Sequence, residues 1–215
     1  MKLIVLLLLF FELSSFSQTF FRQEISQSDF RDVTFHQALQ NLQRKSQDVD
    51  KLKQGFNYVF TNKASKLANK KLTLSLTQLP LYDAIKYTAL TLKLNVKFER
   101  KTVIILAPGE KIKDPVIKEK FVKRDPRLLS ALRLQCKSVS ANKLSLKDIF
   151  KTIKTESVKS DSTGKGINIL DISGSGAKPI MSLKNISVYE ALRYTAIAAN
   201  IPMKLDRSAV VFGKK

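Results

Sequence analysis

Leu72-Thr-Leu-Ser-Leu-Thr-Gln-Leu-Pro-Leu-Tyr-Asp-Ala-Ile-Lys-Tyr-Thr-Ala89 returns without a gap as Pro179-Ile-Met-Ser-Leu-Lys-Asn-Ile-Ser-Val-Tyr-Glu-Ala-Leu-Arg-Tyr-Thr-Ala196. Leu76 maps to Leu183, Tyr82 to Tyr189, Ala84 to Ala191 and, beyond the quoted stretch, Arg100 to Arg207. Where letters differ the chemistry mostly holds, as in Asp83 for Glu190 and Lys86 for Arg193. Self-similarity of this length is a statement about architecture. Leu72, Leu74 and Leu76 alternate with polar residues, which is the period of a half-buried strand. Leu81, Ala84, Ile85, Thr88, Ala89 and Leu92 then fall on one face of a helix that starts at Pro80 or its neighbour. Residues 95–99 and 103–107 read as two strands around a turn at Arg100-Lys101.

Upstream, Phe56, Tyr58 and Phe60 alternate with Asn57, Val59 and Thr61, again the period of a strand. Residues 62–71 read as a basic loop. Before them, Thr34 with Gln37 three residues on forms a capping box. Phe35, Ala38, Leu39 and Leu42 make the buried stripe of the helix it opens, which should fade near Ser46, with residues 47–54 a surface loop. Residues 22–27 supply a first strand. The second copy restates this order: Ser145 to Asp148 restates the capping box, Leu146, Ile149, Phe150 and Ile153 repeat the stripe, and Gly166-Ile-Asn matches Gly55-Phe-Asn. Ser187 to Glu190 adds a further capping box. The copies lose register only where residues 173–178 are four shorter than residues 62–71, as loops allow. The expectation is an α+β fold of two tandem βαββαββ modules, each with two helices packed on small mixed sheets. Helices this short do not persist alone in water, so each must lay its stripe on a sheet. The paired tyrosines, Tyr82 with Tyr189 and Tyr87 with Tyr194, read as rings at the core edge with wet hydroxyls.

The chain start reads as a secretory signal over residues 1–17: a basic Met1-Lys2, an apolar run from Leu3 to Phe11, and small residues at Ser15 and Ser17. The run is too short to span a bilayer as a helix, Glu12 closes it, and no cysteine follows it to carry a lipid. The first module then covers 18–108 and the second 128–215. Between them, residues 109–127 read as a basic linker broken by prolines, with a short helix expected within residues 128–132. Lys111, Lys113, Lys118, Lys120, Lys123, Arg124 and Arg127 are its candidates for holding an anionic surface.

Thirty-eight lysines and arginines against eighteen acids leave a formal charge of +20, which draws a protein toward anionic polymers or headgroups. Export argues against nucleic acid as the partner. Cys136 is the only cysteine, so no intramolecular disulfide forms, and its strand context makes it a small buried apolar group. The single histidine, His36, reads as a surface residue in a first helical turn. No cluster has metal-ligand spacing, no Ser/His/Asp set can be nominated, and the glycine-rich 162–166 and 174–179 lack the spacing of a phosphate loop. No catalytic, cofactor or metal residue is therefore expected.

The pattern carried by Val33-Thr-Phe-His-Gln-Ala-Leu, 72–76, Leu81-Tyr-Asp-Ala-Ile and 103–106 resembles the short N-terminal domain of secretins and TonB-dependent transducers (STN-like domains). The second copy carries it as 144–150, 181–183, Val188-Tyr-Glu-Ala-Leu and 210–212. The resemblance implies a periplasmic adaptor: in secretins such domains face inner-membrane components, and in transducers they contact an anti-sigma regulator. This chain departs from both, having no pore-forming or barrel region after Val211, so a stand-alone pair of such modules is expected. The resulting expectation is an exported, non-enzymatic, periplasmic or secreted protein that binds another envelope protein. The alternative is an electrostatic binder of an anionic envelope polymer or membrane surface.

Overall fold

The structure, a computed structural model, describes residues 20–117 and 124–213. The expected signal segment lies outside the described residues, as do Lys118, Lys120 and Lys123. In chain order the elements are β1 (Glu24–Ile25), β2 (Ser28–Thr34), α1 (Phe35–Val49), β3 (Asn57–Phe60), α2 (Asn62–Ser65), β4 (Lys71–Leu76), β5 (Leu79–Pro80), α3 (Leu81–Leu90), β6 (Asn95–Glu99) and β7 (Thr102–Leu106). They continue as β8 (Val116–Ile117), α4 (Pro126–Arg133), β9 (Gln135–Asn142), α5 (Leu146–Ser160), β10 (Ile169–Asp171), β11 (Ile180–Ser187), α6 (Val188–Ala199), β12 (Met203–Leu205) and β13 (Val210–Phe212). The fold is α+β, with helices over several small sheets. Among the described residues no helix is long and apolar enough to cross a membrane.

The chain divides into two compact units. Of the described residues, the first takes 20–57 and Lys66–Pro108, and the second takes Tyr58–Ser65 together with 109–117 and 124–213. In the first, Thr34 caps α1 by accepting from Gln37 N at 3.2 Å, and Gln37 Oε1 accepts from Thr34 N at 2.9 Å. The stripe of α1 (Phe35, Ala38, Leu39, Leu42) and that of α3 (Leu81, Ala84, Ile85, Ala89) are wholly buried. Burial of each large side chain among them contributes roughly 1.5–3 kcal/mol. In the second unit the corresponding residues of α5 and α6 are buried as well, Ala191 among them.

Local geometry recurs at repeat-related positions. Ile25 pairs with Leu79, Ser28 with Leu76 and Phe30 with Leu74. In the second unit Cys136 pairs with Ile186, Val139 with Leu183 and Ala141 with Met181. Leu81 N donates to Gln23 O at 2.9 Å, as Val188 N does to Leu134 O at 2.8 Å. Thr88 Oγ1 donates back to Ala84 O at 2.7 Å, and Thr195 Oγ1 to Ala191 O at 2.8 Å. Left-handed backbone falls at matching places even where the residue differs: Asp32 and Lys143, Lys53 and Gly164, Gln78 and Asn185, Lys93 and Asn200.

The same holds for the loops that leave α1 and α5. Ser46 Oγ donates to Gln43 O at 2.6 Å and accepts from Phe56 N at 3.1 Å, while Asp50 accepts from Leu52 N, Gln54 N and Gly55 N. Ser157 Oγ donates to Lys154 O at 2.7 Å and accepts from Ile167 N at 3.0 Å, while Asp161 accepts from Thr163 N, Lys165 N and Gly166 N. Gly55 and Gly166 close these loops at φ +68° and +60°. A Cβ on Gly55 would lie 2.8 Å from Gln43 O, so no other residue fits there unstrained. Because Ser46 ties the end of α1 to Phe56, the helix runs to Val49, past the expected fade at Ser46.

Five further expectations are corrected. His36 is only 8% exposed. Residues 62–71 are not plain loop: α2 forms within them, and Ala68 O accepts from His36 N at 3.0 Å, folding the segment over the expected wet side. Burial also lowers the His36 pKa below the usual imidazole value. The strand β3 is buried along its whole length rather than on alternate residues. In the second unit Tyr58 and Val59 pair antiparallel with Ser182 and Met181. The tyrosine pair at 87 and 194 does not share an environment: Tyr87 is 45% exposed and Tyr194 3%. Finally, the proline-broken stretch is not all linker, since Val116–Ile117 forms a strand.

Candidate functional site

That strand, β8, is the starting point for the site. It lies parallel to β12, with Val116 opposite Met203 and Ile117 opposite Lys204, and Met203 N donates to Pro115 O at 2.7 Å. Two residues earlier, Asp114 Oδ1 stands 3.8 Å from Arg193 Nε on α6. Its charge also reaches Tyr189, one turn before Arg193: burial, and then Asp114, raise that phenol's pKa. Residues 110–115 and Ile117 line a cleft of about 350 Å³ with Ala196, Ile197 and Ile201. On the outer face of α6 Ile197 at this cleft is 6% exposed, and Tyr194 is buried too.

The first unit has the same helix and the same strand without that cover. The strand β6 corresponds to β12 and pairs with β7, from Asn95 opposite Leu106 to Glu99 opposite Thr102. Among the described residues no strand of this unit lies along its other side. Helix α3 turns Tyr82, Tyr87 and Leu90 outward, and Leu90 is 50% exposed. Tyr82 stacks on Phe98 of β6 with ring centroids 4.5 Å apart. Lys86, the counterpart of Arg193, holds its ammonium 5.7 Å from the Tyr82 ring centroid. The result is an apolar helix face beside a strand edge, with Lys86 and Lys93 exposed on α3 and the turn after it, while Lys97 of β6 is ion-paired with Glu99 at 2.6 Å. Apolar side chains gathered this way on a surface mark a contact region more often than scattered ones do.

The candidates for anionic-surface binding are not gathered in one place. Lys111 and Lys113 are exposed at the 350 Å³ cleft, next to Glu110 and Asp114. Arg124 Nε reaches Leu205 O at 3.5 Å. Arg127 lies in the first turn of α4, whose cap is Asp125, and lines a different cleft of about 620 Å³ that also holds Asp161 and Lys165. Acids thus stand beside the described cations in both clefts. The helix expected over 128–132 is the core of α4.

Cys136 is buried in β9 as expected, and burial, with Glu156 nearby, pushes its thiol up to about 12. Among the described residues no group of three or more His, Cys, Asp or Glu is placed to hold a metal ion. Sequence reasoning did not single out Lys86, Tyr87 and Leu90 as a surface. The available signal was Leu90, an apolar residue off the buried stripe of its own helix. No family model matches the chain, and no curated protein matches it.

Proposed function

We propose that this chain is an exported, non-enzymatic adaptor of the periplasm that binds another envelope protein through an exposed sheet edge. The observation that carries the reading is the open groove of the first unit, formed by the outer edge of β6 and the Tyr87–Leu90 face of α3. An edge strand presents a row of backbone donors and acceptors, and an extended segment of a partner can add to it. The signal-like residues 1–17 and the resemblance to STN-like domains support the compartment and the adaptor role. The test is affinity capture from envelope extract with the tagged chain, after crosslinking. One envelope protein recovered in proportion to the bait is the expected result, and recovery of ribosomes and lipid alone defeats the reading.

A second reading rests on the charge of +20. A protein so basic binds anionic lipid or wall polymer, each Lys or Arg near an anionic membrane adding on the order of 1 kcal/mol. Retention on anionic vesicles or cell wall should then collapse at moderate salt. Retention that ignores salt, or is absent at low salt, excludes it.

A further inference from the structure

We infer that the groove of the first unit takes an extended partner segment in which a carboxylate stands two residues before an apolar pair, added parallel to β6. This rests on the adaptor reading and specifies the partner's chemistry. The argument is internal to the molecule. In the second unit the equivalent groove is filled by this chain's own Asp114-Pro-Val-Ile117. Its apolar pair forms the strand beside β12, Pro115 O takes the Met203 amide, and Asp114 faces Arg193.

Each receiving group has its counterpart in the first unit. Val96 stands for Met203, Lys97 for Lys204, Lys86 for Arg193, Tyr87 for Tyr194 and Leu90 for Ile197. The difference lies in what is covered: Tyr194 and Ile197 are buried, whereas Tyr87 and Leu90 are open. The exposed Lys86 and Lys93 select an acidic segment over a basic one, since charge complementarity at a rim sets partner choice and encounter rate. The parallel direction follows from β8 on β12. The amide expected to be taken up is that of Val96.

The probe is a fluorescent peptide with the sequence of residues 110–118, its three lysines replaced by serine to remove repulsion from the basic protein. With the full chain, saturable binding is expected, with slower amide exchange over residues 95–99. Leu90→Asp should weaken binding at least ten-fold and Lys86→Glu about three- to ten-fold, in line with one exposed ion pair reversed. A probe whose aspartate is replaced by lysine should lose a similar factor. Both substituted residues are solvent-exposed, so the variants should fold, which circular dichroism checks. Arg193→Glu should leave binding within two-fold.

Absence of saturable binding, or binding unchanged by Leu90→Asp, overturns the proposal. So does loss on Arg193→Glu with none on Lys86→Glu, because the probe would then be exchanging into the second unit. If the wild-type chain sediments as a dimer and Leu90→Asp as a monomer, the occupant is a second copy, and the inferred partner is wrong. Envelope capture separates the two levels. Capture that survives Leu90→Asp puts the partner elsewhere and sinks this inference alone. Probe binding with no captured envelope protein sinks the adaptor reading and leaves the groove standing.

Discussion

Replacing Asp50 with alanine should destabilise the first unit by about 3 kcal/mol. The Asp50 side chain is 6% exposed. It accepts from the amides of Leu52, Gln54 and Gly55 at 3.2, 3.1 and 3.0 Å, and Lys101 Nζ lies 3.2 and 3.1 Å from its two oxygens. Alanine removes the carboxylate that the three amides and the Lys101 ammonium share. A hydrogen bond to a charged group is worth about 1.5–3 kcal/mol, but values within one cluster do not add. Removing one partner of a buried pair costs about 3–5 kcal/mol. The lower end applies because Lys101 is 20% exposed, so its ammonium can reach water. That ammonium also keeps the Phe20 ring, whose centroid is 4.7 Å away.

With a urea m-value of about 1.5 kcal/mol/M, the midpoint should fall by about 2 M. The readout is far-ultraviolet circular dichroism, because the chain has no tryptophan. Asp161→Ala is the internal control. It removes the same three amide contacts, but Ser208 stands at the position of Lys101 and the carboxylate is more exposed, so its shift should be clearly smaller. The pH dependence follows from the direction of the Asp50 shift. Burial opposes ionisation, but the Lys101 bond and the Leu52 and Gly55 amides outweigh it, and the pKa lies below the ordinary aspartate value. The unfolded chain therefore binds the proton more readily. The advantage of wild type over Asp50→Ala is full above the unfolded-state pKa of about 4 and is lost as pH falls through the lowered folded-state value. Equal shifts for the two variants, or a change under about 0.5 M for Asp50→Ala, would refute the ion pair as the source of the difference.

Gly55→Ala and Gly166→Ala should each lose about 2–4 kcal/mol, combining left-handed strain with a clash against the preceding helix end, whereas Gly109→Ala, whose Cβ meets open space, should lose about 1 kcal/mol. Thermal melts compare the three. Cys136 should react with a thiol reagent at pH 8 far more slowly in the folded chain than in denaturant, because burial keeps it protonated; equal rates would contradict its placement in β9. The lowered pKa of His36 means the unfolded chain takes up its proton first, so stability should fall as pH drops below about 6.5. His36→Gln should flatten that slope in urea titrations at pH 5 to 7.

What the letters revealed was local. The capping boxes at Thr34 and Ser187 and the stripes of α1, α5 and α6 depend on neighbours three or four residues away and stand as expected, as does that of α3 up to Ala89. Leu92 falls past the helix end and is half-buried, and at Ser145 the cap accepts from Asp148 N without the reciprocal bond of a box. What they hid depends on segments far along the chain. His36 looks wet from its neighbours in sequence, whereas its amide bonds Ala68 O in a segment that carries no periodic pattern. Tyr87 and Tyr194 sit in the same motif, yet the first is 45% exposed and the second 3%, because segments distant in sequence pack on the second helix. The strand β8 is a single apolar pair between a proline and lysines, too short to alternate. The groove went unseen for the same reason: one unit's vacancy shows only beside the other unit's occupied counterpart.

The twin loops after α1 and α5 bear on lineage. Their serine, aspartate and glycine keep one spacing, Ser46, Asp50, Gly55 and Ser157, Asp161, Gly166, although the buried residues around them have changed from Phe35 to Leu146 and from Phe56 to Ile167. Apolar cores tolerate exchange as long as volume is kept, whereas three polar atoms that satisfy four amides and a carbonyl have no ready substitute. A chain bearing that serine–aspartate–glycine signature twice would be recognisable as kin even with every core side chain replaced.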